Sequence, residues 1–118
     1  MFYMTNRRSE LRMMCADMVE VCWSERSGKL RNATALLEDI STSGACLQLE
    51  MPVPLGVDIR WKSPSVEFRG TIRYCVYREI GYFVGVEFES TSRWSKRAFM
   101  PQHLLDPQTL VGKQGAAR

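Results

Sequence analysis

Two short stretches of the chain gather side chains that can hold an anion. The first, "NRRSELR", places Arg7, Arg8 and Arg12 within six residues near the N-terminus. The second, "EDISTSGACLQL", contains Asp39, Ser41 and Gly44 in the form D-x-S-x-x-G. Arginine presents a planar fork of N–H donors that meets a phosphate, or the paired acceptors of a guanine edge, through two parallel hydrogen bonds, and its face stacks on a base. Lysine would bring the charge without the fork. Each stretch also has a plainer reading. Arg8 and Arg12 can flank a first strand as a solvated polar lead-in. Asp39 and Ser41 can bond backbone amides of a turn while Gly44 takes a conformation closed to other residues.

The elements that must position these residues are strands. "MMCADMVEVCW" alternates, setting Met13, Cys15, Val19, Val21 and Trp23 on one face, with Asp17 the exception there. "SERSGK" predicts a turn with Gly28 at positive φ. "LRNATALLED" and "ACLQLE" read as short strands bounded by turn residues, and the two prolines of "MPVPLG" exclude a central strand there. "VDIRW", "VEFRGTIRYCVYRE" and "YFVGVEFES" continue the alternation, the last two separated by "EIG". Five or six strands without helical periodicity between them predict an antiparallel sheet curled into a small barrel. Gly70 and Gly85, inside strands, are the expected bend or bulge positions. Beyond Ser90, "STSRWSKRAFMPQHLL" offers Ser and Thr caps and an apolar face of Trp94, Ala98 and Phe99, so a helix is expected to close the barrel and Pro101 to end or kink it. The expected layout is an arginine-bearing arm over 1–12, a barrel with its closing helix over 13–106 and a tail over 107–118.

Composition excludes several classes. A net charge of +3 is mild, whereas a domain that coats nucleic acid carries a denser basic stripe. "RWSKR" reads as the polar side of the closing helix, so no nucleic-acid partner is expected. Apolar residues make up 45% and charged residues 25% of the chain, the mixture of a soluble globule. No apolar run approaches the roughly 18 residues of a membrane span, and the N-terminus lacks an apolar core followed by a cleavage site, so a cytoplasmic location is expected. Cys15, Cys22, Cys46 and Cys75 form no C-x-x-C pair and read as small core residues. The one histidine, His103, has no nucleophile or metal-ligand pattern around it, so neither catalysis nor a metal is expected.

Taken together, Arg8-x-x-x-Arg12, the D-x-S-x-x-G some 27 residues after it and the late strand "YFVGVEF" resemble the PilZ domain, the bacterial receptor module for cyclic di-GMP. The resemblance runs from about Arg7 to the helix after Glu89. It implies an all-β fold, a six-stranded antiparallel β-barrel with a C-terminal helix, in which the arginine motif leads into the first strand and D-x-S-x-x-G joins the second to the third. It also implies that Arg8 and Arg12 are the paired arginines, with Arg7 an extra basic residue that many relatives carry. Asp39, Ser41 and Gly44 would be turn residues at the ligand, and Tyr74, in "GTIRY", a supporting aromatic. The bound state would then be read by a downstream protein partner. Degenerate relatives bind protein partners without the nucleotide, usually after losing one motif. This chain keeps both.

The chemistry of cyclic di-GMP suits these residue types. The ligand carries two phosphates, each anionic at neutral pH, and two guanines with paired O6 and N7 acceptors, all targets for arginine forks. Asp39 is placed by this reading to accept from guanine N1 and N2, which selects guanine over adenine. Ser41 suits phosphate or base, and Gly44 lets a backbone approach where a Cβ would intrude. One ligand molecule or a stacked pair fits these residues equally.

Overall fold

Alternation carries through into strands wherever turn residues bound it. The computed structural model describes residues 12–62 and 66–89, so Arg7, Arg8 and the helix expected after Ser90 lie outside the described residues. Six strands follow one another: β1 (Met13–Ser24), β2 (Leu30–Ile40), β3 (Gly44–Leu49), β4 (Asp58–Lys62), β5 (Glu67–Arg78) and β6 (Gly81–Phe88). They pair antiparallel and close into a barrel in the order β1-β2-β3-β6-β5-β4. Closure gives every strand a neighbour on both sides, which is how a small all-β chain limits edge-to-edge association.

The inward phase of each strand supplies the core. Val21 and Trp23 from β1, Ala35, Leu37 and Ile40 from β2, and Leu47 from β3 are all buried, as are Ile59, Phe68, Ile72, Val84 and Val86. Asp17, on that same phase of β1, pairs with Leu37 at intermediate burial. Trp61, Phe68 and Phe88 make an aromatic trio, with Phe68 stacked on Trp61 at 5.5 Å and on Phe88 at 5.2 Å between centroids. Such offset contacts add to simple burial. Gly28 takes φ 93° in the β1–β2 turn, a conformation that a side chain would strain. The segment with Pro52 and Pro54 lies outside the sheet, anchored by buried Val53. Among the described residues no helix is long and apolar enough to cross a membrane.

Three register shifts occur in the sheet; those on β2 and β5 interrupt the alternation and matter most for what the barrel presents outward, while β1 keeps its phase across its own, with Met13, Val21 and Trp23 all buried. On β2, Leu37 pairs with Leu47 and Asp39 with Cys46, which leaves Glu38 as an extra residue. On β5, Ile72 pairs with Val86 and Tyr74 with Gly85, which leaves Arg73 extra. The β1 register shifts between Met14 and Asp17. An extra residue inverts the in–out phase of the strand beyond it. Leu37 and Ile40 are therefore both fully buried although three positions apart. Ile72 and Cys75 likewise both face the core.

Of the expected bend or bulge positions, Gly85 lies at one, facing the β5 bulge where Arg73 is extra beside Tyr74, whereas Gly70 is corrected: it sits in regular pairs opposite Ile59 and Phe88. Its missing Cβ serves close approach instead: a Cβ at Gly70 would stand 2.5 Å from the Glu87 carbonyl oxygen.

Candidate functional site

Cross-strand register assembles a row that no local stretch of sequence contains. Asp39 on β2 pairs with Cys46 on β3, Cys46 with Gly85 on β6, and Gly85 with Tyr74 on β5. Three inter-strand spacings separate the ends of this row, about 14 Å of sheet. The Glu38 and Arg73 bulges immediately precede Asp39 and Tyr74. Without them, strict alternation from buried Leu37 and Ile72 would turn both side chains inward.

Arg12, the residue before β1, joins the row at its Asp39 end. Its Nη2 lies 3.2 Å from Asp39 Oδ1, with the two side chains 33% and 27% exposed. The facing atoms themselves are shut off from solvent. A pair at this exposure stabilises the fold by about 0.2–1 kcal/mol. Its larger effect is orientation, because the carboxylate fixes the guanidinium above the sheet. This contact engages one nitrogen of a group that carries five N–H donors.

The D-x-S-x-x-G turn closes next to the row. The Ser41 N–H donates to the Gly44 carbonyl at 2.8 Å and its Oγ–H donates to the same oxygen at 3.3 Å. Ser41 is fully buried, so its hydroxyl reaches the outer surface only if the turn rearranges. Here the plainer, turn-forming reading describes the geometry. Gly44 differs from expectation. It is the first residue of β3, buried, paired with Glu87 and absent from the positive-φ glycines among the described residues, which are Gly28, Gly56 and Gly81. A strand position needs no left-handed backbone, so positive φ does not account for the glycine there.

Of the sequence-predicted residues, Arg12, Asp39 and Tyr74 come together, Ser41 and Gly44 shape the adjoining turn, and Arg7 and Arg8 lie outside the described residues. Sequence reasoning missed three contributors. Cys46 and Gly85 fill the middle of the row; the glycine within "YFVGVEF" was the available signal. Arg73, the β5 bulge residue, places its Nε 2.6 Å from Glu87 Oε1, and Glu87 lies opposite Gly44. That sets a second arginine beside the turn, and nothing in local sequence marks it.

The titratable groups follow from burial. The Cys46 thiol is pushed up to about 11, chiefly by burial; a hydrogen bond from Tyr74 and the Arg12 charge work against that, while Asp39 and Glu38 add to it. Cys15 is pushed up to about 12 by burial and then by the Asp17, Asp39 and Glu38 carboxylates. Both thiols stay protonated at neutral pH, which suits packing and not nucleophilic or metal chemistry. Glu38 is raised by burial and then by Asp39.

Two concavities formed by described residues lie elsewhere, one between Ser24, Asp58, Arg60 and Arg69, the other around Cys22, Asn32, Arg60 and Lys62. In them Arg60 and Arg69 share Glu67. An arginine held by a carboxylate, an aromatic in the same row and a short Ser–Gly turn at its flank can together grip a flat, anionic, hydrogen-bonding ligand. No curated protein matches the chain. A family model for the PilZ domain does, over residues 6–99, a span that includes both motifs and all six strands; the chain belongs to the PilZ domain family.

Proposed function

We propose that the protein is a cyclic di-GMP receptor without catalysis of its own, which changes conformation on binding and signals to a protein partner. The observation that carries this reading is the outward row in which Arg12, Asp39 and Tyr74 share one face of the barrel. Arg12 and Arg8 supply forks to phosphate or guanine, with Arg7 beside them. Asp39 accepts from guanine N1 and N2. Ser41 and Gly44 hold the turn that lets the ligand come close, and Tyr74 gives an aromatic contact. Residues 1–11, which carry Arg7 and Arg8, close over the bound ligand and present a new surface to the partner.

Magnitudes support this set. Charge-assisted hydrogen bonds contribute roughly 1.5–3 kcal/mol each. Three or four of them, with stacking and after ordering costs, reach the roughly 8 kcal/mol of a micromolar complex. Isothermal titration of the purified protein with cyclic di-GMP tests the reading: saturable heat is expected, and no heat up to a few hundred micromolar would replace it with a partner-only PilZ module.

Glu38 bears on affinity too. Its carboxylate stands next to Asp39, near enough to raise its own proton affinity, and it repels any phosphate brought to Arg12. Glu38→Gln is expected to tighten cyclic di-GMP binding by up to about fivefold, the effect of ~1 kcal/mol at a largely exposed site. A titration showing weaker binding would place the phosphates away from the Asp39 end.

A further inference from the structure

β5 outlasts its neighbour β4. The β4–β5 ladder ends at Asp58–Thr71, and Ile72 closes it with backbone bonds to Gly56 and Val57. From Arg73 to Arg78, β5 is paired on the β6 side alone among the described residues. The turn at Glu79 and Ile80 joins Arg78 to its partner Gly81. In such a two-residue hairpin Arg78–Gly81 and Val76–Phe83 exchange backbone hydrogen bonds, so Cys75 and Tyr77 turn their N–H and C=O groups away from β6. This edge is both apolar and exposed: Val76 is 44%, Tyr77 64% and Ile80 71% exposed. It is also braced from behind, because Tyr82 packs on Tyr77 at 5.1 Å between centroids, Arg78 lies over the Phe83 ring, and Gln48 Nε2 donates to the Ile80 carbonyl at 2.9 Å.

Proteins blunt a free edge with lysine, proline or a bulge. Here the Arg73 bulge blunts only the start, and the stretch from Tyr74 to Ile80 contains neither lysine nor proline. A strand added to this edge must meet the outward groups of Cys75 and Tyr77. A second copy of the same edge, running antiparallel, does so in one register. With Cys75 opposite Cys75 of the second copy, the next bonded pair falls on the Arg73 bulge; with Tyr77 opposite Tyr77, it falls on Glu79 in the turn. With Cys75 opposite Tyr77, both bonded pairs lie in regular strand and the two-fold axis passes at Val76, which then faces its own copy. Charge agrees with this register, because Arg73 at each end comes beside Glu79 of the second copy and unlike charges across a ladder favour pairing.

We propose that the protein self-associates through this edge: two copies join β5 to β5, antiparallel about Val76, so that one sheet runs unbroken across the dimer. Main-chain bonds at Cys75 and Tyr77 hold the strands together, and the apolar contact of Val76 with its copy sets the register. The proposal is independent of the nucleotide reading, since the join needs no ligand. It does place Arg78 of the second copy opposite Tyr74, at the β5 end of the row that begins at Asp39.

Sedimentation velocity of the full chain across micromolar concentrations, in reductant and without nucleotide, should show a concentration-dependent species of twice 13.6 kDa. Val76→Lys sets two lysines opposite each other and should weaken the dimer about 5- to 30-fold, through one lost apolar pair and one like-charge pair. Val76→Glu should do the same, and an equimolar mixture of the two variants should recover the dimer because unlike charges then face. Val76 is exposed, so both substitutions leave the barrel folded. A second measurement fixes the register in a Cys22→Ser/Cys75→Ser background. There Val76→Cys should form a disulfide-linked dimer with diamide, since a non-bonded antiparallel pair brings its Cα atoms to about 4.5 Å, within disulfide reach. Arg78→Cys, which faces position 74 instead, should not. A wild type that stays monomeric overturns the proposal, and is the result expected if residues 90–118 of the same chain, or an extended segment of another protein, cover the edge. A dimer that Val76→Lys leaves intact, a mixture that recovers nothing, or cross-linking at position 78 and not at 76 overturns it as well.

Discussion

Replacing Arg12 with alanine is expected to weaken cyclic di-GMP binding about 10- to 150-fold by isothermal titration, the loss of a charge-assisted contact set of roughly 1.5–3 kcal/mol. Two effects act in the same direction. The fork that meets phosphate or guanine disappears, and Asp39 loses the cation 3.2 Å away that balances its charge. An uncompensated carboxylate then faces an approaching dianion. Because the guanidinium is held by Asp39 before ligand arrives, little additional ordering is needed at this residue, and more of its gross contact energy appears as affinity. The pair should also behave as a unit. Arg12→Ala and Asp39→Ala together are expected to cost less than the sum of the single changes, with a coupling of about 0.5–3 kcal/mol between groups in contact. Additive losses would mean that the two residues meet the ligand independently, and an Arg12→Ala protein that binds as tightly as wild type would remove this arginine from the site.

Phe68→Ala is expected to have the opposite profile, a large loss of stability with unchanged affinity in the folded protein. Phe68 is fully buried and stacks on both Trp61 and Phe88, which already touch each other at 5.9 Å between centroids, so the truncation leaves a cavity beside the two rings that closing them further cannot fill. Removing a buried phenylalanine costs about 3–5 kcal/mol, a large share of the ~5–15 kcal/mol that holds a domain folded. Urea unfolding should show a lower midpoint at similar slope. Phe68 and Tyr74 are six positions apart along β5, about 20 Å of strand, which keeps the loss of packing away from the row that carries Asp39 and Tyr74. An unchanged midpoint would show that the aromatic trio does not carry the core.

The strands were legible because their signal is local. β1 shows this best: Met13, Val21 and Trp23 recur at even spacing, and all are buried. The two motifs were legible as residue types. What could not be read was phase. A bulge such as Glu38 or Arg73 adds one residue to one strand, and an alternation only a few residues long fits equally well with or without it. That single step decides whether Asp39 and Tyr74 face outward or toward the core. Nor does any spacing rule bring Tyr74 to Asp39, which lie in strands separated by two others in the barrel; only pairing register does. Gly28 was read correctly as a turn residue and Gly85 as a bulge position, while Gly70 was misjudged for a related reason. Sequence shows that a side chain is missing but not what occupies its place, which is a turn at Gly28, a carbonyl at Gly70 and a tyrosine ring at Gly85.

Closure of the barrel has a dynamic consequence. β1 and β4 are joined through Val21–Trp61, Cys22–Arg60 and Trp23–Ile59 alone, a shorter ladder than any of the others described. Transient opening of the wall therefore begins along this seam, where the fewest backbone bonds must break. The four strands that carry the row, β2, β3, β6 and β5, run consecutively on the far side of the circle. The barrel can thus breathe along this seam while the Asp39–Cys46–Gly85–Tyr74 row keeps its register on the other side.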